Sequence, residues 1–482
     1  MSEDKKTTNG LYGLMMEYPA FPAALVALIC FGLGLYWIMQ EPVGEKEFMV
    51  RRPVFYDRTA SASSQEDLNL GTLIPGTATA SNLPGSWPWF RGPQLENIAD
   101  SGGELARDWP EEGPPVLWRV EMGEGHAGAA ILNGMAYVTD YDREKEEDAI
   151  RCLNLKTGEE IWRFTYSVSI KRNHGMSRTI PAVTDDYVVS LGPKLHLVCL
   201  DAKTGEKKWS INMVEEYQCT VPPWYAGQCP VIEGDTVVIA PGTKPLMLAL
   251  DLETGEEVWR TAPELDNMGM THSSILPIEF AGEKQFVYCT GQGVVSISAE
   301  DHELLWTKPE WKIGIANVPS PVYLGPDDGR IFFSGGYNAG SMMVKLVEQG
   351  DGTIGVEELY ALKAQEFGSD QQTPIFYKGH IYGVKPKPAE MVCLKPDTGE
   401  WAWSSGRTRF GLGPYLLVGD LFYVLDDREG ALHIVEATPE EYRELDRFDL
   451  LDGHDAWAPM AYADGLLLLR DMTEMVCVDL RK

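Results

Sequence analysis

The chain has 482 residues, of which 41 are lysine or arginine and 72 are aspartate or glutamate, giving a formal net charge of -31 at pH 7. A field of this sign repels a phosphate backbone and excludes nucleic acid as a partner class. The apolar fraction of 44% is ordinary for a globular protein and allows a large buried core.

The first predicted element is a transmembrane helix over residues 21–39, preceded by a short N-terminal tail of residues 1–20. The run FPAALVALICFGLGLYWIM carries no charge. At about 1.5 Å per residue it is long enough to cross hydrocarbon roughly 30 Å thick. A cleaved signal peptide is the alternative, but the following QEPVGEKEF offers no small-x-small cleavage site. We therefore expect residues 21–39 to anchor the chain in a lipid bilayer.

Residues 40–84 are rich in Ser, Thr, Ala and Gly and are predicted to form a flexible linker. The membrane orientation stays open at this point. Lys5 and Lys6 precede the helix and several basic residues follow it, so a literal count of positive charge favours a cytoplasmic body. The difference in charge is small, and the placement that we expect is the periplasmic face of a bacterial inner membrane.

Beyond the linker the sequence is a repeat. Each copy has an alternating apolar strand, a turn containing Thr-Gly and a second strand that ends in an aromatic residue. The glycine supplies the positive φ that a tight hairpin needs. Another apolar strand recurs upstream of each hairpin, which predicts four short strands per repeat. The clear copies are CLNLKTGEEIW, CLDAKTGEKKW, ALDLETGEEVW, SISAEDHELLW and CLKPDTGEWAW, and two degenerate copies end at Tyr360 and near Phe448.

The repeat region has an unfinished repeat at each end. The chain stops at CVDLRK after half a hairpin, and PPVLWRVEMG opens the region with a lone strand. Pairing these two strands removes two exposed sheet edges. We therefore predict that residues 85–482 form an all-β fold, an eight-bladed β-propeller of four-stranded blades closed by its first and last strands. The tryptophans predicted to pack between blades are Trp118, Trp162, Trp209, Trp259, Trp306 and Trp403.

The unit L-D-x-x-T-G-x-x-x-W, present at residues 200–209 and 250–259, resembles the tryptophan-docking repeat of PQQ-like β-propellers. That superfamily includes quinoprotein alcohol dehydrogenases and the propeller subunit of the bacterial outer-membrane barrel-assembly machinery. The motif SWPWFRGP resembles the W-P-x-F-R-G-P motif of planctomycete-type PQQ-like proteins. The resemblance implies the fold, and we expect Trp87, Trp89, Phe90 and Arg91 to dock this segment against the propeller.

Catalytic motifs are missing from the sequence. A quinoprotein dehydrogenase would carry an adjacent Cys-Cys pair, acidic and amide ligands for calcium and an aspartate base. The chain has no Cys-Cys pair, C-x-x-C-H, H-E-x-x-H, P-loop or G-x-S-x-G. We therefore expect no catalytic residue, no metal site and no cofactor. The alternative is a divergent oxidoreductase that uses PQQ with calcium.

The mouth of the central channel is the expected place for any ligand site, because the loops before the innermost strands converge there. These loops contain histidines, carboxylates and amides that could hold a metal, a quinone or an anion. Polar residues satisfied by water are the simpler interpretation. The candidates are His126, His174, Arg178, His272, Asn317, Asp370, Gln371, His454 and Asp455, with Gln372 and Trp457 in the same loops.

Two further pairs of residues are singled out. Asp426 and Asp427, in YVLDDREG, are interpreted as structural residues of a hairpin turn. Of the eight cysteines, only Cys219 and Cys229, which bracket TVPPWYAGQ, are placed so that they could meet. Whether they form a disulfide stays open, so cysteine usage does not identify the redox compartment.

These features together favour a non-catalytic role. A propeller is a broad rigid disc with loops on both faces, and a membrane anchor raises the effective concentration of membrane partners. We expect a protein-interaction scaffold or an accessory subunit of a membrane complex. The alternatives are a divergent PQQ-dependent quinoprotein oxidoreductase and a carbohydrate- or envelope-binding module.

Overall fold

The computed structural model describes residues 31, 68–69, 71–452 and 455–482. Except for Phe31, the predicted transmembrane helix over residues 21–39 lies outside these residues, as does His454. In the described ranges, no helix is both long and apolar enough to cross a membrane. The anchor and the domain boundaries therefore stay predictions.

The folded body consists of eight sheets within the described part of the chain. Each sheet contains one blade of four antiparallel strands, and two of the sheets have one added edge strand. Blade 1 contains β4 (Ala129–Leu132), β5 (Met135–Asp142), β6 (Glu147–Asn154) and β7 (Glu160–Ser167). Blade 2 contains β8 (Ala182–Val183), β9 (Tyr187–Leu191), β10 (His196–Asp201) and β11 (Lys207–Asn212). Blade 3 contains β12 (Val231–Glu233), β13 (Thr236–Ile239), β14 (Leu248–Asp251) and β15 (Glu257–Arg260). Blade 4 contains β16 (Leu276–Phe280), β17 (Glu283–Thr290), β18 (Gly293–Ser298) and β19 (Leu304–Lys308).

The second half of the ring continues in the same order. Blade 5 contains β20 (Val322–Tyr323), β21 (Arg330–Gly335), β22 (Gly340–Glu348) and β23 (Ile354–Leu362). Blade 6 contains β24 (Ile375–Tyr377), β25 (His380–Val384), β26 (Met391–Leu394) and β27 (Trp401–Ser404). Blade 7 contains β28 (Tyr415–Val418), β29 (Leu421–Leu425), β30 (Ala431–Glu436) and β31 (Glu444–Asp449). Blade 8 contains β32 (Ala461–Ala463), β33 (Leu466–Arg470), β34 (Glu474–Asp479) and, as its outermost strand, β3 (Val116–Glu121).

Short helical segments and two short strands lie outside the blades in the part of the chain that the structure describes. The helix α1 (Met213–Tyr217) follows blade 2, and a 3₁₀ turn (Pro263–Leu265) follows blade 3. The strands β1 (Thr72–Pro75) and β2 (Ile98–Ala99) lie before the propeller and join blades 1 and 7.

The hairpin turns form because the sequence supplies the groups that each turn needs. In blade 2 the Asp201 carboxylate accepts hydrogen bonds from the backbone N–H groups of Lys203 and Thr204, at 3.1 and 2.9 Å. Gly205 then adopts a φ of +75°, which an L side chain rarely does. Asp251 repeats the carboxylate contacts in blade 3. The repeated Thr-Gly step is therefore a turn signal with a local physical cause.

Tryptophans from the outermost strands pack on the turn of the following blade. A Cβ on Gly205 would lie 2.6 Å from the Trp162 ring, so glycine also makes room for the indole. The indole N–H then donates to a backbone carbonyl of that blade. The donor–acceptor pairs are Trp118 with Leu155, Trp162 with Ala202, Trp209 with Leu252 and Trp403 with Thr438.

Blade 4 departs from this pattern. Its turn has His302 where the other copies have glycine, and His302 adopts a φ of +65°. The imidazole stacks on Trp259, with ring centroids 4.4 Å apart. Trp306 donates to the Gln285 side chain of its own blade, at 2.8 Å. A histidine ring thus replaces the glycine-to-tryptophan contact between blades 3 and 4.

The ring closes through the strand pairing predicted from the sequence. The strand β3 pairs antiparallel with β34, and Trp118 lies opposite Cys477. The fully buried Arg470 of blade 8 reinforces the junction by donating to the carbonyls of Gly123 and Ala127, at 2.9 and 3.2 Å. The prediction of an eight-bladed propeller closed by its first and last strands is confirmed.

The stretch predicted as linker follows the edge of blade 1 where it is described. The strand β1 pairs antiparallel with β7, the outermost strand of that blade. The Lys207 ammonium of blade 2 donates to the carbonyls of Leu68 and Asn69, at 3.2 and 3.3 Å. Residues 68–84 are therefore attached to the rim at blades 1 and 2.

Residues 87–99 enter the central channel, and we call this segment the plug. Trp87 forms a β-bridge with Ile131 on the innermost strand of blade 1. The carbonyl of Pro88 accepts from the N–H of Val183 in blade 2. At its other end the plug pairs in parallel through β2 with β28, the innermost strand of blade 7. The W-P-x-F-R-G-P motif thus docks inside the ring of blades, in contact with several innermost strands.

Candidate functional site

The loops that precede the innermost strands meet at one end of the channel, which we call the mouth. Direct contacts join neighbouring loops around it. The N–H of His126 donates to the carbonyl of Ser177, at 2.7 Å, and the N–H of His272 donates to the carbonyl of Asn317, at 3.1 Å. The sequence candidates on these loops are thereby brought around a common axis by the propeller architecture.

The most connected group at the mouth is centred on Trp457. Its indole ring stacks on the His126 imidazole, with centroids 4.6 Å apart and planes 25° apart. The indole N–H donates to Asp427 Oδ2, at 2.7 Å. The Gln372 amide donates to the Trp457 carbonyl, at 2.9 Å. This group joins loops of blades 1, 6, 7 and 8 across the channel.

The interpretation of both adjacent aspartates as turn residues agrees with the structure, since both lie in the segment between β29 and β30. The Asp426 carboxylate accepts from the N–H of Arg428, at 2.9 Å, and its carbonyl accepts from Gly430. Asp427 instead faces the mouth, where burial raises its carboxyl pKa. A Cβ on Gly411 would lie 1.6 Å from Asp427 Oδ1, so this glycine makes room for the carboxylate.

Arg178 supplies positive charge to the same region. Its guanidinium donates to the carbonyls of Asn173 and His174, at 2.5 and 3.0 Å, and to the carbonyl of Trp224. These bonds connect the loops before blades 2 and 3. A cation is thereby held next to the buried His126 and the half-buried His272.

His126 and His272 are kept neutral by their surroundings. Burial, assisted by Arg178 and Arg470, lowers the pKa of His126 to about 3. Burial, assisted by Arg178, lowers the pKa of His272 to about 4. Both ring nitrogens of His126, Nε2 of His272 and the amide of Asn317 are buried and make no hydrogen bond of good geometry with the described residues. Buried polar atoms of this kind require water or a ligand.

Acidification is expected to destabilise the protein through these histidines. Their folded-state pKa values lie below the ordinary value of 6.5, so the unfolded chain binds more protons as pH falls from 6.5 to about 4. Each histidine can remove up to about 1.4 kcal/mol per pH unit in this window. Urea unfolding of the wild type and His126→Gln between pH 7.5 and 4.5 measures the effect. The variant should show the shallower pH dependence, and equal slopes would contradict the assignment.

The remaining candidates occupy less central positions. His174 is exposed and has a φ of +48°. Asp370 and Gln371 are half-buried, and burial raises the pKa of the Asp370 carboxyl. Asp455 is half-buried, and its carbonyl accepts from the N–H of Trp457. Across the ranges that the structure describes, no three His, Cys, Asp or Glu side chains are grouped so that they could bind a metal ion.

Cys219 and Cys229 are both free and buried. The Cys229 sulfur accepts a hydrogen bond from the N–H of Ile180, at 3.3 Å. Burial raises the thiol pKa of each cysteine to about 11. Labelling of these thiols from solvent is therefore expected to be slow, and tests of membrane sidedness need a cysteine introduced at an exposed position.

Comparison with known proteins supports the repeat assignment. The family model described as "Outer membrane protein assembly factor BamB" matches residues 111–218 and 145–405, which together span more than half of the chain. No curated protein matches the sequence.

Two solved structures have a similar fold. BamB from Moraxella catarrhalis is 14% identical, with a TM-score of 0.50, over 76% of this chain and 100% of that protein. The quinohemoprotein alcohol dehydrogenase from Comamonas testosteroni is 14% identical, with a TM-score of 0.53, over 84% of this chain and 82% of that protein. At these identities the likeness concerns the fold alone. Given the extent of the family match, this chain belongs to the PQQ-like β-propeller family described as outer membrane protein assembly factor BamB.

Proposed function

We propose that this protein is a non-catalytic, membrane-anchored β-propeller that docks other proteins, as a scaffold or accessory subunit of a bacterial membrane complex, with the propeller in the periplasm. The family description as an assembly factor supports this proposal. So does the plug, because part of the channel interior is filled by the chain itself and is not open to a substrate. The surfaces left for function are the rim, the two faces and the mouth.

The observation that carries the proposal is a row of exposed apolar side chains on the rim. The outermost strands of the four consecutive blades 3 to 6 each present one. We call these residues the docking sector. It consists of Val258 on blade 3, Leu304 on blade 4, Leu359 on blade 5 and Trp401 on blade 6.

The charge around the docking sector indicates the chemistry of its partner. Each of the four apolar residues directly follows a glutamate in the sequence. Glu303 is exposed, and the side chains of Glu358 and Glu400 are 39% and 71% exposed. A partner surface with an apolar centre and surrounding lysine or arginine would complement this pattern.

The docking sector also lies away from the attached N-terminal stretch. Residues 68–84 are attached at blades 1 and 2, whereas blade 5 lies across the closed ring from blade 1. A partner at blades 3 to 6 would therefore not compete with β1 for an edge of the propeller. This arrangement suits a tethered disc that presents its free side to a membrane protein.

Charge substitution in the docking sector is expected to abolish partner binding. The double variant Leu304→Arg and Leu359→Arg places two cations where the partner is expected to be apolar and basic. We expect at least a tenfold loss of the proteins that copurify with the full chain from gently solubilised membranes, because the desolvated centre of an interface contributes most of its affinity. Quantitative mass spectrometry of the copurified proteins measures the loss.

The matched control is the double variant Ile74→Arg and Leu117→Arg, at exposed apolar residues of blades 1 and 8. It introduces the same charge outside the docking sector and should leave copurification unchanged. Equal losses from both variants, or purification of the wild type without any partner, would overturn the proposal.

A second candidate function is favoured by the imidazole and amide groups of the mouth that make no hydrogen bond of good geometry with the described residues. These groups could bind a small quinone in a divergent oxidoreductase. Among the described residues, no group of carboxylates of the kind that calcium needs is present. Absorbance titration of the full chain with PQQ, with and without calcium, tests this candidate. A saturable spectral change with dye reduction by alcohols would support it, and an unchanged spectrum would exclude it.

A further inference from the structure

A small void lies inside the channel, between the plug and the innermost strands of blades 3, 4 and 5. Its volume is about 10 Å³, which is the space that a single water-sized sphere needs. The polar side chains on its wall include Arg91 from the plug, Ser274 from the loop before blade 4 and Ser320 from the loop before blade 5. The void is distinct from the mouth residues, none of which lines it.

Arg91 is a buried cation that forms no ion pair with any described residue. Arg91 is only 5% exposed, and its Nε–H has no acceptor among the residues that the structure describes. The Nη1 group makes one long hydrogen bond, to the Pro321 carbonyl at 3.4 Å. Burial lowers the guanidinium pKa to about 10, partly opposed by Glu96, which forms no ion pair with it. A buried charge in this position requires a compensating partner.

Ser274 and Ser320 add hydroxyl groups to the same wall. Ser274 Oγ accepts from the N–H of Cys229, at 3.0 Å, and Ser320 Oγ accepts from the N–H of Ser274, at 3.2 Å. The Ser274 hydroxyl also hydrogen-bonds with the Cys229 side chain. The hydrogen of the Ser320 hydroxyl has no acceptor among the described residues, and it can rotate to reach one. The wall of the void therefore offers one guanidinium N–H and the Ser320 O–H as donors.

We propose that this void binds a single halide ion, chloride under ordinary conditions. The unused N–H of Arg91, the Ser320 hydroxyl and the buried positive charge favour an anion over a neutral water molecule. Space for a single water-sized sphere suits a monoatomic ion better than sulfate, phosphate or a carboxylate. The ion neutralises Arg91 and links the plug to blades 4 and 5, so plug docking becomes chloride-dependent. This inference is independent of the docking sector.

Bromide is the probe that identifies the ion. In crystals of the full chain grown or soaked with sodium bromide, we expect an anomalous scattering peak in the void beside Arg91. Melting curves in sodium chloride and in sodium gluconate at equal ionic strength provide a second readout. We expect a higher melting temperature in chloride and in bromide than in gluconate, because gluconate is too large for the void. If the void shows no anomalous peak and the melting temperatures in chloride, bromide and gluconate are equal, water occupies the void. That result would overturn the proposal.

The variant Ser320→Ala separates halide binding from general stability. It removes one hydroxyl donor. We expect the chloride concentration needed for half of the rise in melting temperature to increase at least tenfold. The control is Ser273→Ala, which alters a buried serine that does not line the void. This control should keep the full chloride response, even if its melting temperature falls. An undiminished response in Ser320→Ala would overturn the proposal, as would an equal loss in both variants.

Discussion

Replacing Gly92 with alanine is expected to lower the free energy of unfolding by about 2 to 5 kcal/mol. Gly92 lies in the plug and has a φ of +78°, a conformation that costs an L side chain about 1 to 2 kcal/mol. A Cβ there would lie 2.7 Å from the Trp87 ring, which is fully buried. Because the ring cannot move into packed surroundings, overpacking adds about 1 to 3 kcal/mol. Urea unfolding of the full chain measures the loss.

Gly102→Ala is the matched control for this substitution. Gly102 has a φ of +65°, but nothing lies within 4 Å of a Cβ at that position. The control should therefore show the backbone cost alone, about 1 to 2 kcal/mol. If both variants lose the same free energy, Trp87 is not packed against Gly92 and the plug does not lie in the channel as described.

Trp118→Ala is expected to be at least as damaging, with a loss of about 3 to 5 kcal/mol in the free energy of unfolding. Trp118 is 7% exposed and joins the first strand of the propeller to the last blade. Its indole donates to the Leu155 carbonyl of blade 1, at 2.9 Å, and a Cβ on Gly158 would lie 2.6 Å from its ring. The substitution removes packing at the junction where the first strand of the propeller meets the last blade.

The control for Trp118→Ala is Leu117→Ala on the same strand. Leu117 is 38% exposed, and its truncation should cost less than about 1 kcal/mol. Thermal unfolding followed by far-ultraviolet circular dichroism, which reports backbone structure, compares the two variants. Similar melting temperatures for both would mean that the ring is not held closed by the Trp118 side of β3.

The fold could be predicted because its signals are local and repeated. The Asp201 turn and its glycine can be identified from a few adjacent residues, and their recurrence fixes the number of blades. The two half-hairpins at the ends have no partner except each other, which predicts the pairing of Trp118 with Cys477. His302 shows the limit of this reasoning, since the turn survives with a histidine in the glycine conformation.

The site could be predicted only in part, because it depends on contacts between distant segments. The positions of His126 and His272 before innermost strands indicate that they face the mouth. The stack of His126 on Trp457 and the hydrogen bond from Trp457 to Asp427 depend on how three blades meet. In the pair Asp426 and Asp427 the sequence indicates the turn but not the contact of the Asp427 side chain with Trp457, because adjacent residues at a turn can face opposite ways. The void beside Arg91 has no sequence signal at all.

The most direct test of the proposed docking function is site-specific photocrosslinking in intact membranes. A photoreactive amino acid replaces Leu304 or Leu359 in the docking sector, or, as the reference position, Ile74 on β1. Crosslinked products are then identified by mass spectrometry. We predict that both docking-sector positions crosslink to the same membrane protein and that Ile74 does not. Equal crosslinking at all three positions, or no crosslinking at the two docking-sector positions, would contradict the proposed docking function.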